Sequence, residues 1–311
     1  MRILLMYEPS EAHRAALQAA APQAEIVYAT NEAMARAHIR RADVVLGNRY
    51  FLQSIAFAEK LQWMQSGSSG VDLILKSGQI PPSLQITSAK GVYDEEIAEH
   101  TLALIFALFR QLHLFRDDQQ RKTWHRCLLP KLAQSHVLIL GWGGIGRAIG
   151  GKLSALGAIV HAAVRTPRAS PGVFLYGPET WSAILPKMDL LIAALPLTAA
   201  TRHIVSRPIL QKLPPHAYFV NVGRGETVDE QALLEQIRSH QLQGAALDVF
   251  GEEPLPESHP FWQEERILIT PHVARSLERS SWQWEPLFVE NLRRFYVGEP
   301  LLNRVDRQSG Y

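Results

Sequence analysis

Cysteine is almost absent from the 311 residues: Cys127 stands alone, which excludes an internal disulfide and any cysteine-cluster metal site. A lone thiol fits a reducing, cytoplasmic setting. Long apolar runs are missing as well. No stretch reaches the roughly 18 apolar residues that a membrane-spanning helix needs. The segment Ile97 to Phe109 comes nearest, but His100 and Thr101 interrupt it and it reads as a buried helix. The opening MRILLMYEPSEAH is too short in its apolar part for a signal peptide. An excess of one charge is also lacking. With 32 basic against 30 acidic residues the net charge is +2, which gives no electrostatic case for nucleic acid or an anionic membrane. What the chain does have is 47% apolar residues, enough for a sizeable core, and a length that suits one large or two medium domains.

The first hundred residues alternate short apolar runs with helical patterns. Ile3–Tyr7, Glu25–Ala29, Asp43–Gly47, Leu61–Ser66 and Gln85–Ser88 read as strands, with alanine-rich helices at Glu11–Ala20 and Asn31–Arg40. The pattern predicts one long helix over Asp94–Gln120, with Asp94 as its cap. A second alternation comes next. Strands are expected at Ser135–Leu140, Ile159–Val164, Leu190–Leu195, Tyr218–Val222, Gly244–Val249 and Ile267–Thr270, and helices at Gly144–Leu156, Asp229–His240 and Ser281–Val297. Arg165–Pro178 reads as a surface loop containing Pro and Gly. Strand–helix alternation of this kind predicts an α/β fold with parallel sheets.

The run Gly141-Trp142-Gly143-Gly144-Ile145-Gly146 matches G-x-G-x-x-G directly after an apolar strand and at the start of a helix. The glycines permit a tight turn and close approach of backbone to a pyrophosphate, and the helix start offers unpaired N–H groups. A bare glycine turn is the alternative; the strand-before, helix-after context favours a dinucleotide. A carboxylate at the end of the next strand would mark NAD, by accepting from the ribose 2′-hydroxyl. Here that end reads Val164-Arg165-Thr166-Pro167-Arg168. No acid is present, and two guanidinium groups suit a 2′-phosphate. The expectation is NADP (NADPH) as preferred cofactor, clamped by Arg165 and Arg168, with NAD as the alternative. Solvated surface charge is the plainer account of these arginines. Because the fingerprint starts at residue 141, some other structure must precede the cofactor domain.

Three later segments put a polar residue straight after an apolar strand: Asn221-Val222-Gly223-Arg224, Leu247-Asp248-Val249-Phe250-Gly251-Glu252-Glu253-Pro254, and Ile269-Thr270-Pro271-His272-Val273-Ala274. Strand carboxyl ends face the ligand crevice of an open α/β sheet, so Arg224, Asp248, Glu253 and His272 should converge near the cofactor. Their chemistry suits a 2-keto acid. An arginine fork holds the carboxylate and polarises the carbonyl, a histidine exchanges the proton, and a carboxylate orients that histidine. Each alone has a bland reading, as a surface charge, a solvated glutamate or a core histidine. Together, in this order behind a glycine loop, they point to hydride transfer.

These segments resemble the signatures of the D-isomer-specific 2-hydroxyacid dehydrogenase family, and the resemblance spans nearly the whole chain. It implies catalytic roles for Arg224, Glu253 and His272. It implies a nicotinamide contact for Asp248 and cofactor contacts for Leu195 and Pro196 at a strand end, and for Val222, Gly223 and His272. Trp63-Met64-Gln65-Ser66-Gly67-Ser68-Ser69-Gly70 is similar to the family's substrate loop, which implies substrate binding by the backbone of Ser69 and Gly70. The fold implied is two Rossmann-like or flavodoxin-like parallel-sheet domains. A dinucleotide-binding domain (96–274) would be inserted into a substrate-binding catalytic domain (1–95 plus 275–311). A homodimer built around the long helix is implied, with no metal. The missing acid and the arginines resemble the family's NADP-using glyoxylate and hydroxypyruvate reductases. Arg275 stands where a small residue is usual, and Trp142 is bulky inside the glycine loop. Side-chain specificity is expected from Asn48–Leu52, from Ser66–Gly70, and from Trp282 or Trp284 of a partner subunit. Two other readings keep the fold: a formate- or phosphite-type dehydrogenase, and a dinucleotide-sensing corepressor.

Overall fold

A computed structural model describes residues 1–167, 171–275, 283–307 and 310. The chain divides into two compact units, Met1–Tyr93 with Glu278–Tyr311, and Asp94–Leu277 inserted between them.

The first unit opens with β1 (Arg2–Leu5), α1 (Glu11–Ala20), β2 (Glu25–Tyr28), α2 (Glu32–Ile39), β3 (Val44–Leu46), α3 (Phe51–Ser54), β4 (Trp63–Gln65), α4 (Asp72–Lys76) and β5 (Gln85–Thr87). Its sheet has the order β2-β1-β3-β4-β5 with every pairing parallel. That is the flavodoxin-like order, with its switch point between β1 and β3. The central strands read as unbroken apolar runs because both faces are covered. The helix starts are set by side chains: Ser10 Oγ accepts from His13 N at 3.1 Å and Asn31 Oδ1 from Met34 N at 2.9 Å.

The second unit contains α5 (Asp94–Phe109), α6 (Leu112–Arg121), β6 (His136–Leu140), α7 (Gly144–Ala155), β7 (Ile159–Ala163), β8 (Phe174–Tyr176), β9 (Leu190–Ala193), α8 (Arg207–Leu210), β10 (Tyr218–Asn221), α9 (Glu230–Arg238), β11 (Gly244–Leu247) and β12 (Ile267–Ile269). The seven strands lie in the order β12-β11-β10-β9-β6-β7-β8, again all parallel. This is the Rossmann order extended by one strand, with the switch point between β6 and β9.

The chain then returns to the first unit through α10 (Glu285–Val297), stopped by Gly298 in the left-handed region at φ 76°. Phe288 and Leu292 of α10 pack with Ile3, Leu5 and Trp63, covering one face of the first sheet. Asn291 Nδ2 donates to Gln65 Oε1 at 2.7 Å, a buried polar tie between helix and sheet. Among the described residues no helix is long and apolar enough to cross a membrane.

Two sequence expectations are corrected. The single helix over Asp94–Gln120 is two helices, parted at Gln111, which takes a left-handed φ of 52°. α5 buries Leu104, Ile105, Leu108 and Phe109, and the Phe109 ring lies 5.2 Å from that of Tyr218. α6 buries nothing. The break falls where the apolar face gives out, and no Gly or Pro marks it. The loop expected over Arg165–Pro178 contains the edge strand β8, three residues long and, among the described residues, paired only to β7. Three residues are too few for alternation to register. The amino-terminal part of the helix expected at Ser281–Val297 includes residues outside those described.

Candidate active site

The switch point of the second sheet is occupied by the glycine loop. Gly141 leaves β6 with φ 98°, a conformation that a side chain rarely tolerates. A Cβ on Gly146 would lie 2.0 Å from the Gly141 carbonyl oxygen, so the loop and the first turn of α7 touch backbone to backbone. At Gly143, which caps α7 without a side-chain acceptor, a Cβ would meet only open space. Gly144 and Ile145 come next, in the first turn. This helix start stands in front of a glycine cradle, with the Asp94 carboxylate against Gly144 in its first turn, and the cradle fits a dinucleotide pyrophosphate. The Trp142 ring lies against Gly150 on α7, away from that cradle. Beyond β7, Val164 N donates to Tyr176 O at 2.9 Å, and Arg165 and Thr166 are exposed. Arg168 lies outside the described residues.

The loops after β9 and β10 are stitched together. Gly223 packs on the backbone of Leu195, the residue before Pro196, and a Cβ there would come within 2.7 Å of the Leu195 oxygen. Asn221, fully buried at the end of β10, spans the next turn: its Oδ1 accepts from Gly223 N at 3.0 Å and its Nδ2 donates to Arg224 O at 3.0 Å. Thr227 Oγ1 also donates to Arg224 O, at 2.6 Å. The backbone of Arg224 is therefore fixed from both sides, and its Nη1 donates to Gly223 O at 2.8 Å. Gly225 is next in the chain, and a Cβ on it would sit 1.9 Å from the Phe250 carbonyl carbon. Only glycine allows the turn after Arg224 to lie on the loop that carries Glu253.

Glu253 is held by its own loop and holds His272 in turn. Phe250 N donates to Glu253 Oε1 at 2.9 Å, and Glu253 Oε2 meets His272 Nδ1 at 2.7 Å. Both side chains are partly exposed, at 35% and 44%. His272 has φ 52°, an uncommon conformation for a residue with a side chain. Its own N–H donates to Thr270 O at 3.0 Å. Asp248 fixes the next two amides: its Oδ1 accepts from Val273 N at 3.0 Å and its Oδ2 from Ala274 N at 3.1 Å. Thr270 Oγ1 adds a third bond to Asp248 Oδ1 at 2.7 Å. Burial alone would push the Asp248 carboxyl up; the hydrogen bonds from His100, Thr270, Val273 and Ala274 outweigh it and hold the group below its ordinary range. Asp248 thus anchors the His272 turn.

In the first unit, the Ser66–Gly70 turn is shaped by Asn48. Gly67 N donates to Asn48 Oδ1 at 3.2 Å, and Asn48 Nδ2 donates to Ser68 Oγ at 3.2 Å. Ser69 Oγ donates to Ala89 O at 3.3 Å, which ties the turn to the segment after β5. Trp284 packs inside its own unit, its ring 4.8 Å from Tyr7 and 4.3 Å from Phe288. Trp282 lies outside the described residues. A separate hollow of about 430 Å³ opens at the amino ends of β6, β9, β10 and β11, beside Gln111, Asp189 and Tyr218, and contains none of the expected site residues.

The second unit therefore brings Arg224, Asp248, Glu253 and His272 onto adjoining strand-end loops, with the glycine cradle at the switch point of the same sheet. Residues 102–274 match the family model described as D-isomer specific 2-hydroxyacid dehydrogenase, NAD binding domain. This chain belongs to the D-isomer specific 2-hydroxyacid dehydrogenase family. Among its relatives is a protein of Serratia proteamaculans named glyoxylate/hydroxypyruvate reductase A, 32% identical over 282 residues that cover 87% of this chain and 88% of that one. Two solved structures superpose closely. A family member from Xanthobacter autotrophicus Py2, in complex with NADPH and MES, has 30% identity and a TM-score of 0.86, covering 100% of this chain and 99% of that one. An NADPH-dependent glyoxylate/hydroxypyruvate reductase from Sinorhizobium meliloti, in complex with NADP and sulfate, has 28% identity and a TM-score of 0.86 over the same shares.

Sequence reasoning missed Asn221 and Thr270, whose side chains shape the loops. The available signal was a polar residue at the close of an otherwise apolar strand, as in Tyr218-Phe219-Val220-Asn221.

Proposed function

We propose that the chain reduces small 2-keto acids of the glyoxylate or hydroxypyruvate type to D-2-hydroxy acids with NADPH. The observation that carries this reading is the 2.7 Å contact between His272 Nδ1 and Glu253 Oε2. With Nδ1–H directed to the carboxylate, Nε2 is the nitrogen left to exchange a proton, and among the described residues it makes no hydrogen bond. A nicotinamide cofactor, when bound, supplies the hydride. Protonated His272 gives its Nε2 proton to the substrate carbonyl oxygen and takes it back in the oxidation direction. Glu253 fixes the tautomer and balances the imidazolium charge. The Arg224 guanidinium holds the substrate carboxylate, a geometry its planar fork suits. The family resemblance assigns substrate binding to the backbone of Ser69 and Gly70 as well.

The cofactor reading assigns the pyrophosphate to Gly141, Gly143, Gly144, Ile145 and Gly146. It assigns further cofactor contacts to Thr166, Leu195, Pro196, Val222, Gly223, Asp248 and His272. Preference for NADPH over NADH is supported by the strand end at Val164, which carries no acid and is followed by Arg165, and by the NADP and NADPH complexes of the two similar structures. The family's homodimer and a cytoplasmic setting go with this reading.

The test is NADPH oxidation with glyoxylate, hydroxypyruvate, pyruvate and phenylpyruvate, repeated with NADH. Turnover on at least one keto acid is expected, and none on any would sink the proposal. Replacing Arg165 and Arg168 together by alanine should raise KM for NADPH about tenfold or more while leaving NADH nearly unaffected, since a charge-assisted contact to phosphate is lost. Equal loss for both cofactors would show that neither arginine reads the 2′-phosphate.

A further inference from the structure

Asp248 is 1% exposed and takes three hydrogen bonds from the turn around His272. A fourth donor comes from α5. His100 Nε2 lies 3.1 Å from Thr270 Oγ1 and 3.4 Å from Asp248 Oδ1. Hydrogen counting fixes the direction of these bonds. The Thr270 hydroxyl has one hydrogen, spent on Asp248 Oδ1 at 2.7 Å, so towards His100 its oxygen can only accept. Asp248 is an acceptor too. The nitrogen facing both must carry a hydrogen, so His100 is held as the Nε2–H tautomer, or as the imidazolium, and its donor is shared between the two oxygens.

We propose that His100 is a positioning residue for His272. It acts through the Asp248 carboxylate and the Thr270 hydroxyl on the turn Thr270–Ala274. His272 stands in that turn at φ 52°, and it is kept there because the amides on its carboxyl side, Val273 and Ala274, are tied to Asp248. The Asp248 lone pairs can stay aimed at those amides only while the carboxylate itself is clamped. His100, projecting from a long helix rather than from the turn, is the clamp that does not move with the loop. The proposal rests on the reading of His272 as the acid/base and adds a residue that touches neither substrate nor cofactor.

The test compares H100A, H100Q and H272N with the wild type. Glutamine offers an Nε2–H donor at similar reach, and alanine offers none. H100A should lower kcat on the best keto acid about tenfold or more, as a displaced acid/base does. H100Q should recover most of the loss. Amide hydrogen exchange at Val273 and Ala274, read on the protein without substrate or cofactor, should be faster in H100A and near wild type in H100Q. Wild-type kcat and exchange in H100A would overturn the proposal, and so would H100Q as impaired as H100A in both readouts. Turnover retained by H272N would instead overturn the acid/base reading itself, and the proposal with it. The exchange data report the tether separately.

Discussion

Each unit carries a histidine with a glutamate beside its Nδ1, and the two are treated in opposite ways. In the first unit His13, at 3% exposure, stands 3.8 Å from Glu285 Oε2, and its Nε2 is met at 2.8 Å by the Tyr7 hydroxyl. Burial pushes its pKa down to about 4, so the close glutamate does not make it an ion pair near neutrality. Burial likewise holds the Tyr7 hydroxyl protonated, able to donate to Nε2. In the second unit His272 is 44% exposed and sits 2.7 Å from Glu253, with Nε2 outside any hydrogen bond among the described residues. One imidazole is buried with Nε2 bonded to Tyr7; the other is exposed with Nε2 outside any hydrogen bond among the described residues. The sheets are both parallel and doubly wound, so the fold does not separate these histidines. What separates them is which nitrogen the strand-end loops leave uncovered.

The largest effect should come from removing the exposed member. H272N should lower kcat about 10³-fold, within the range that general acid–base groups contribute, and leave thermal stability almost unchanged. E253Q keeps an acceptor for Nδ1–H but removes the charge, so a smaller loss of about tenfold to a hundredfold is expected. The control is H13N, which should leave turnover within about twofold, as befits a group outside the chemistry. Equal losses in H272N and H13N, measured by steady-state kinetics with the same keto acid, would break the contrast between the two histidines.

A second difference is the way each unit closes its strand-end loops. Both use a neutral amide side chain, Asn48 spanning Gly67 and Ser68 in the first and Asn221 spanning Gly223 and Arg224 in the second. The second adds close backbone contact, with Gly225 lying on Phe250. G225A should therefore cost about 1–3 kcal/mol by overpacking. It should also lower kcat, because the displaced loop carries Glu253. Thermal melts and kinetics on one preparation would check both. A variant with lowered stability and wild-type kcat would show that the Arg224 turn and the Glu253 loop are not held in register by this contact.

Much of the second unit was legible in the sequence because each chemical residue comes after an unbroken apolar strand: Val220-Asn221 before Arg224, Ala246-Leu247 before Asp248, Leu268-Ile269 before Thr270 and His272. Strand ends are visible as a change of polarity, and the sheet topology turns them into one crevice. The break at Gln111 was not legible, since it comes from where α5 runs out of sheet to cover and not from a helix-breaking residue. β8 was hidden by its length. His100 and Asn221 were hidden for another reason. Their partners lie elsewhere in the fold, and a hydrogen bond across 170 residues, as from His100 to Thr270, leaves no periodicity to read. Trp284, expected as a specificity contact from a partner subunit, lies within its own chain in the aromatic cluster around Tyr7.

The remaining prediction tests the buried histidine by pH. The pKa of His13 is about 4 in the folded chain against an ordinary 6.5. Between these values the unfolded chain binds a proton at this residue and the native chain does not. Stability contributed by the neutral His13 is thus present above about 6.5 and lost as pH falls towards 4. At about 1.4 kcal/mol per pH unit the loss is on the order of 3 kcal/mol. Glu285 works against it. Its carboxyl is raised by burial, so the cost of keeping it ionised in the native state is relieved as pH falls, and the net slope is shallower. Comparison with H13Q isolates the histidine. The wild-type Tm should fall more steeply between about pH 6.5 and 4.5 than that of H13Q, whose titrating group is gone. Parallel curves for the two proteins would mean that the Tyr7 hydroxyl and the surrounding apolar side chains do not hold His13 neutral, and the contrast with His272 would then rest on exposure alone.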